Sequence, residues 1–395
     1  RRNTLSYLLY VCHFKRNGRV IIMNEQIKKT AFETSAGTDE KQSLINSNNI
    51  ITDEDDFCNS DDLFAEFREE SNPNFIRTFT LGELFDKSYD IKQPIIKDLL
   101  YPGMYLFVGA PKIGKSFAML QIAHHVSNGL DLWDKKVNQG KVVYLALEDR
   151  ESRIVSRYYN MFGVPPNPDN IIISTFSNKA GHGLEGQLEY ILARNQGVSL
   201  IIIDTLQMIR ESSNDKMNYS SDYGIIEILK RFADRFKVCL LVVHHTRKQD
   251  SDDVFDTISG TNGLLGAADG AFVMQKEKRG KNKATISVTG RDLPEQCIQI
   301  ERSANCTWDF VKSDVDLFDK PKDKILDKIV PFVSACKVWQ GTATQLIEET
   351  ELDITPNVLS RSLNALHSVL LNDYNIEYKF ERKHSGKIIS LSIIE

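Results

Sequence analysis

The sequence has no long hydrophobic run, few cysteines and no strong excess of charge. Its longest apolar stretches, residues 198–203 and 238–243, have six residues each, whereas crossing a bilayer takes about 20. The six cysteines form no Cys-x-x-Cys pair and have no histidines at zinc-ligand spacing, which argues against a disulfide scaffold and structural zinc. The net charge of −5 excludes a generally basic nucleic-acid coat. We therefore expect a cytoplasmic protein without a membrane span, and the length predicts about two to three domains.

The N-terminal region differs in composition from the rest of the chain. Residues 24–70 contain thirteen acidic and four basic residues, with runs of Ser, Thr and Asn. Such a stretch offers too little apolar surface to offset the entropy of ordering, so we predict a mostly disordered acidic arm over residues 1–72. Residues 1–22 are basic and precede Met23. We hypothesise that Met23 is the natural start and that residues 1–22 are not native.

From residue 73 the chain alternates between apolar runs of strand length and helical periodicity. Buried strands are predicted at residues 104–108, 142–147, 199–203 and 238–243. Continuous Val/Ile/Leu strands separated by helices are typical of a mostly parallel sheet covered on both faces. We predict an α/β domain over residues 73–310, with ligands at the carboxyl ends of its strands.

A phosphate-binding motif follows the first of these strands. The run Gly109-Ala-Pro-Lys-Ile-Gly114-Lys115-Ser116 fits G-x-x-x-x-G-K-[ST] and leads into a predicted helix. In such a P-loop the glycines let backbone N–H groups face phosphate oxygens, Lys115 neutralises the β- and γ-phosphates, and Ser116 ligates Mg²⁺. The alternative is a Gly-rich loop without a nucleotide. The predicted ATP-binding residues are Gly109, Ala110, Pro111, Lys112, Ile113, Gly114, Lys115, Ser116 and Phe117.

Acidic and histidine residues end three other predicted strands. Asp204 closes LIIID and is a candidate Mg²⁺ ligand of the Walker B type, on a strand expected beside the P-loop strand; a helix-capping Asp is the alternative. Glu148 closes LALE and is a candidate base for the attacking water, with a surface glutamate paired to an arginine as the alternative. His244 and His245 close VVHH. We prefer His245 as the residue that senses the γ-phosphate, and a structural histidine is the alternative.

Five segments together resemble the RecA-like hexameric ATPases of the DnaB and plasmid RepA helicase group, over residues 95–309. They are LLYPGMYLFVGAPKIGKS, VVYLALED, LIIIDTL, VVHHTRK, and SGTNGLLGAADGAFVMQK followed by ISVTGRD. The resemblance implies a RecA-like P-loop NTPase fold that uses ATP and Mg²⁺, with Glu148 as the catalytic base. It also implies a homo-oligomer, a hexameric ring that carries single-stranded DNA in its channel.

The resemblance further implies an arginine finger supplied by a neighbouring subunit. Arg291 in SVTGRD is the candidate, and such a group is worth about 10³ to 10⁵ in rate. The loops at residues 208–223 and 247–262 would face the channel, although the second carries more Asp than basic residues, which departs from a basic funnel. The alternatives for the finger are Lys276, Lys278 and Arg279, and the alternative for Arg291 is an ion pair with Asp292 or Glu295.

A smaller module is predicted at the C-terminal end. Residues 311–322 are polar, contain Pro321 and predict a linker. Three helices and two strands over residues 323–395, with a capping box from Thr342 to Gln345, resemble a winged helix. One side of the third helix could reach phosphates and base edges of duplex DNA, and a solvated face is the alternative. The candidate side chains are Asn357, Ser360, Arg361, Asn364, His367 and Ser368 on the helix and Arg382, Lys383 and Lys387 at the hairpin tip.

The preferred function is an ATP-hydrolysing motor acting on DNA, a replicative helicase or helicase-like ATPase of a plasmid, phage or mobile element. Its predicted catalytic residues are Lys115, Glu148, His245 and Arg291. The alternative is a nucleotide-switched DNA-binding regulator of replication or transcription with little unwinding. A small-molecule P-loop kinase is disfavoured, because no arginine-rich lid follows Asp204 at the expected distance.

Overall fold

The structure is a computed structural model in which the chain falls into two compact units, residues 1–79 and 80–395. Within the predicted N-terminal arm, strands β1 (Cys12–Arg16) and β2 (Arg19–Met23) pair antiparallel. The rest of the arm, with its prediction of disorder, lies outside the described residues. The structure describes residues 12–16, 19–23, 76–87, 89, 91, 93–210, 219–246, 253–258, 262–276, 282–315, 323–383 and 386–394.

The second unit contains the predicted α/β domain and the C-terminal module. The α/β part comprises α1 (Leu81–Phe85), β3 (Gly103–Gly109), α2 (Lys115–Asn128), β4 (Lys141–Ala146), α3 (Glu151–Phe162), β5 (Ile171–Ser174), α4 (Leu184–Arg194), β6 (Val198–Asp204), α5 (Leu206–Ile209), α6 (Tyr219–Phe236), β7 (Cys239–His245), α7 (Asn262–Ala267), β8 (Gly270–Lys276), β9 (Lys283–Gly290), β10 (Gln296–Arg302) and β11 (Trp308–Val315). The C-terminal module comprises α8 (Lys324–Cys336), β12 (Val338–Thr342), α9 (Ala343–Thr350), α10 (Pro356–Tyr374), β13 (Ile376–Lys383) and β14 (Gly386–Ile393).

In the described part of the α/β domain, nine strands form one sheet in the order β11-β10-β9-β8-β3-β7-β6-β4-β5. The six strands from β8 to β5 run parallel, while β9, β10 and β11 extend the sheet antiparallel. The predicted α/β class with a mostly parallel sheet is therefore confirmed. The described residues hold no helix that is both apolar and long enough to cross a membrane.

Helices cover both faces of this sheet, as the continuous apolar strands predict. Along β3, Tyr105 and Phe107 point into a core formed with α2 and α3. Met104, Leu106 and Val108 point into a second core formed with α4, α6 and α7. Because alternate residues of a strand face opposite sides, a strand that is apolar at every position is buried on both.

Two expectations about this domain are wrong. Strand β6, which carries Asp204, is not beside the P-loop strand β3, because β7 lies between them. The predicted linker 311–322 begins inside β11, which pairs with β10 as far as Val315. Its polar composition reflects an outermost strand in which residues 309–312 and 314 are exposed, as the ion pair between Lys312 and Asp314 illustrates. Residues 316–322 lie outside the described residues.

The C-terminal module has its own core and a three-stranded sheet in the order β12-β14-β13. The capping box predicted at Thr342 is present, with the hydroxyl of Thr342 accepting from the Gln345 backbone N–H and the Gln345 side chain accepting in return. Strand β12 is an addition to the expected hairpin of β13 and β14. The winged-helix interpretation of this module stays a proposal.

Candidate functional site

Four neighbouring parallel strands end at one edge of the sheet, which we call the P-loop edge. Strand β3 ends at Gly109, β7 at His245, β6 at Asp204 and β4 at Ala146, two residues before Glu148. Parallel strands that are adjacent in a sheet bring their carboxyl ends together. The topology therefore gathers the residues that the sequence predicts for ATP binding and hydrolysis.

The loop between β3 and α2 has the backbone shape that its glycines permit. Gly114 has φ of 108°, in the left-handed region. A Cβ added at Gly109 would lie 2.6 Å from the side chain of Ile113 and 2.8 Å from the carbonyl oxygen of Met274. Residues 110–112 are exposed, so this side of the loop is open to solvent, next to the helix N-terminus where phosphate would bind.

Lys115 is buried and folds back onto this loop. Its Nζ donates to the carbonyl oxygens of Gly109 at 2.6 Å and Ala110 at 3.0 Å, and lies 3.2 Å from Nδ1 of His245. Burial lowers the pKa of Lys115 to about 8, opposed by the carboxylates of Asp204 and Glu148. The ammonium is thus held by neutral carbonyl oxygens, which the charged oxygens of a phosphate can replace.

Asp204 is buried beside Ser116, the residue predicted to share the metal with it. The Ser116 hydroxyl lies near enough to the Asp204 carboxylate to lower its pKa, and the Tyr144 hydroxyl donates to its Oδ2 at 3.1 Å. Burial raises the pKa of Asp204, although both hydroxyl contacts oppose this. A hydroxyl and a carboxylate are the oxygen donors that Mg²⁺ takes alongside substrate phosphates, so these residues fit the ion.

Glu148 lies in the same cluster, and its partner differs from the arginines considered as an alternative. The Thr205 hydroxyl donates to Oε1 of Glu148 at 2.9 Å. Arg153 instead pairs with Asp149, whose other oxygen accepts from Arg157 at 2.6 Å. The Glu148 side chain is exposed, so its carboxylate is accessible from the open side of the P-loop.

His245, rather than His244, reaches the P-loop. Residue His245 is paired in register with Gly109, and His244 is buried. Burial and the nearby ammonium of Lys115 lower the pKa of His245, which favours a neutral ring near pH 7. A neutral ring whose Nδ1 accepts from Lys115 carries its proton on Nε2.

A buried tryptophan that belongs to none of the sequence motifs packs against the P-loop at Gly114. Trp308, the fully buried first residue of β11, donates from Nε1 to the Gly114 carbonyl oxygen at 3.3 Å. Its backbone N–H donates to Gln121 at 2.7 Å, and its carbonyl oxygen accepts from Trp133 at 2.9 Å. A Cβ at residue 114 would lie 2.8 Å from the indole.

Phe117 is held between two guanidinium groups. The guanidinium carbons of Arg157 and Arg302 lie 4.6 Å and 4.4 Å from its ring centroid, a cation–π arrangement. The predicted ATP-binding residue thus also ties the start of α2 to α3 and β10.

Arg291 lies far from the P-loop of its own chain. It follows β9, whose last residue Gly290 pairs with Gly270 at the start of β8, so it sits at the sheet edge opposite the P-loop edge. A strand of seven residues separates the two edges by roughly 20 Å. The Arg291 guanidinium donates to the Gly266 carbonyl oxygen at 2.9 Å.

Of the alternatives to Arg291, Lys276 is described and lies at the P-loop edge. Its Nζ is 5.2 Å from the ring centroid of Trp308, the residue whose indole donates to the Gly114 carbonyl oxygen of the same chain. Lys278 and Arg279 lie outside the described residues, as do residues 211–218, 247–252 and 259–261 of the proposed DNA-facing loops.

The predicted DNA-reading face of α10 is partly covered by the chain itself. Arg361 makes two hydrogen bonds to the Asp86 carboxylate, at 2.9 and 3.1 Å. Asn364 donates to the Phe85 carbonyl oxygen at 2.8 Å and accepts from the Tyr378 hydroxyl at 2.9 Å. His367 packs edge-on against Tyr378. At the hairpin, Lys387 lies over the Phe380 ring.

Comparison with known proteins points to the same part of the chain. Residues 75–251 match a family model described as an AAA domain. A comparison with curated proteins finds no match. Together with the geometry of the P-loop edge, the family match supports a P-loop ATPase.

Several solved structures are similar to this chain at low identity. An isolated ATPase domain has 14% identity and a TM-score of 0.45, over 65% of this chain and 100% of that one. A DnaB-like replicative helicase, solved for its interactions with primase, has 16% identity and a TM-score of 0.45, over 73% of this chain and 75% of that one. The RadB recombinase has 13% identity and a TM-score of 0.40, over 53% of this chain and 91% of that one.

Proposed function

We propose that this protein is an ATP-hydrolysing, RecA-like motor that acts on DNA as a ring of identical subunits, a hexamer by the resemblance of its motifs. The observation that carries the proposal is the convergence of Lys115, Ser116, Asp204, Glu148 and His245 at one sheet edge. These are the groups needed to bind a triphosphate, hold its metal and activate water. A replicative role in a plasmid, phage or mobile element belongs to the same proposal.

Binding of ATP begins with an exchange at Lys115. In the structure its ammonium donates to two carbonyl oxygens of the loop. With nucleotide, phosphate oxygens take those hydrogen bonds, which are stronger because the acceptor is charged. Ser116 and Asp204 would hold Mg²⁺, which supplies positive charge to the phosphate oxygens.

Hydrolysis needs a base near the outer phosphate and a cation opposite it. Glu148 would accept a proton from the attacking water, while neutral His245 beside Lys115 would donate a hydrogen bond from Nε2 toward the γ-phosphate. The position of Arg291 at the opposite edge suits a finger that acts on the neighbouring subunit's ATP. A ring is the arrangement in which every subunit receives one such group.

Replacing Lys115 tests the site. We expect Lys115→Ala to lower ATP turnover at least ~1,000-fold, since it removes the cation at the phosphates. Turnover is measured as phosphate release, and folding is followed by thermal melting. Because burial opposes the charge of Lys115, its removal should not destabilise the fold. Unchanged turnover would refute the assignment.

A nucleotide-switched DNA-binding regulator is the second candidate. The contact of Arg361 with Asp86 favours it, because the contact joins the proposed DNA-reading helix to α1, which leads into the α/β domain. Turnover stimulated by single-stranded DNA, together with unwinding of a forked duplex, supports the motor. Sequence-specific duplex binding that survives Glu148→Gln, without unwinding, supports the regulator.

A further inference from the structure

We infer that Thr205 and Tyr144 are positioning residues that fix the catalytic base and the metal ligand through a crossed pair of hydrogen bonds between β4 and β6. The inference rests on the proposed ATP hydrolysis and extends it to two side chains that the P-loop motifs do not include. Strand β6 leads into Thr205, which holds Glu148 after β4, and β4 supplies Tyr144 to hold Asp204 of β6.

The Thr205 hydroxyl is available for Glu148 because it does not cap a helix. Thr205 is the N-cap of α5, a position where a threonine hydroxyl ordinarily accepts from a backbone N–H of the first turn. Here it makes no such bond. The residue is 2% exposed and its hydroxyl donates to Oε1 of Glu148 at 2.9 Å. One carboxylate oxygen is thereby fixed, and the other remains for water.

Tyr144 holds the metal ligand in the complementary way. The residue is 1% exposed in the middle of β4, and its hydroxyl donates to Oδ2 of Asp204. The acceptor is buried and charged, so losing this donor would leave the carboxylate less well satisfied. The Ser116 hydroxyl lies near the same carboxylate, and the Tyr144 bond fixes one of its two oxygens.

Both side-chain contacts depend on how β4 and β6 are aligned in the sheet. Ala146 is paired with Asp204, and the Leu147 N–H donates to the Asp204 carbonyl oxygen at 2.9 Å. These bonds fix β4 and β6 up to the residues that carry the two carboxylates. The crossed side-chain bonds extend that alignment to Glu148 and Asp204 themselves. Alignment of this kind matters because an error of about 1 Å can cost about 100-fold in rate.

The two contacts can be tested separately. We expect Thr205→Val, which removes the hydroxyl at similar volume, to lower kcat for ATP about 10- to 100-fold while KM changes less than about twofold. Thr205→Ser keeps a donor and should recover most of the rate. Tyr144→Phe should weaken Mg²⁺ binding in the presence of a non-hydrolysable ATP analogue, measured by calorimetry, and raise the Mg²⁺ concentration for half-maximal turnover, each about tenfold, whereas Thr205→Val should leave both unchanged.

A double variant separates positioning from general damage. If Thr205 acts through Glu148, then Thr205→Val should cause little further loss in a Glu148→Gln background. Thr350→Val is the matched control: this buried threonine of the C-terminal module also makes one hydroxyl bond, to the Leu346 carbonyl oxygen, and its loss should leave kcat unchanged.

The outcomes are distinguishable from failure of the proposed function. If the wild-type chain hydrolyses no ATP, the proposed function fails. If the wild-type chain hydrolyses ATP but Thr205→Val has a kcat equal to or above that of wild type, the inference about Thr205 is overturned. It is also overturned if Thr205→Val lowers kcat by the same factor in the wild-type and Glu148→Gln backgrounds. An unchanged Mg²⁺ requirement in Tyr144→Phe overturns the part concerning Asp204.

Discussion

The P-loop edge and the face of α10 are both predicted functional surfaces, but they are built differently. At the P-loop edge the predicted residues contact one another: Lys115 lies against His245, and Ser116 against Asp204. On α10 the predicted residues contact other parts of the chain, with Arg361 on Asp86. The carboxyl ends of neighbouring parallel strands lie close together in any such sheet, so residues placed there are expected to meet. A polar helix face carries no such constraint, and here another segment of the same chain binds it.

Like the α10 face, Arg291 contacts its own chain and not the P-loop edge. Of the changes that test this comparison, its replacement should give the largest effect. The guanidinium is engaged with Gly266 of its own chain, and the proposed finger role requires a neighbour. We expect Arg291→Ala to lower turnover about 1,000-fold, with ATP binding retained. Arg235→Ala, which removes an exposed arginine paired with Glu189, is the control and should have no such effect.

Mixing two inactive variants shows whether Arg291 acts between subunits. Lys115→Ala subunits retain Arg291 and Arg291→Ala subunits retain Lys115, so a mixed ring contains complete sites. Recovery of phosphate release on mixing, at constant total protein, is the expected result. No recovery, in an assembly shown by native mass to contain both variants, contradicts action in trans.

The charge of Lys115 should make ATP binding depend on pH. Burial sets the pKa of the ligand-free lysine to about 8, and phosphates raise the pKa of a nearby cation. Affinity should thus be constant below about pH 8 and fall above it, by at most about tenfold per pH unit, as the ammonium is lost. Binding measured by calorimetry in two buffers should show proton uptake in the range where affinity falls. His245→Gln should retain this dependence, and a flat profile from about pH 7 to about pH 9.5 would contradict it.

The smallest effect is expected at Asp86. If α1 and duplex DNA compete for Arg361, Asp86→Ala should tighten duplex binding about two- to fivefold, because an exposed ion pair is weak. Fluorescence anisotropy at fixed salt measures this. Asp314→Ala removes the same charge from an exposed pair in β11 and serves as the control. An equal gain in duplex affinity in both variants would show that the effect comes from the change in net charge and not from Arg361. No gain in Asp86→Ala would show that α1 does not compete with DNA for Arg361.

Four of the parallel strands, β3, β4, β6 and β7, are predicted from the sequence because their middle residues form continuous apolar runs. The short strand β5 is not among the predicted strands, because its four residues do not form a long apolar run. No helix is predicted at α3, although Ile154, Tyr158 and Met161 are buried at helical spacing, because the apolar Val155 and Tyr159 lie exposed beside them and obscure the pattern. Strand β11 resembles a linker in sequence, since its outer side chains are polar. The contacts of Tyr144 and Thr205 are not predictable, because they depend on which strands become neighbours.

The indole beneath Gly114 has a consequence for how nucleotide is received. Trp308 fills the space where any larger residue at 114 would project, and its hydrogen bonds to Gln121 and Gly114 join the outermost strand to the start of α2. These contacts hold the loop at residues 109–116 in shape, so we expect little affinity to be lost to ordering it when nucleotide binds. In the proposed ring, we then expect motion during the reaction cycle to arise where one protomer meets the next.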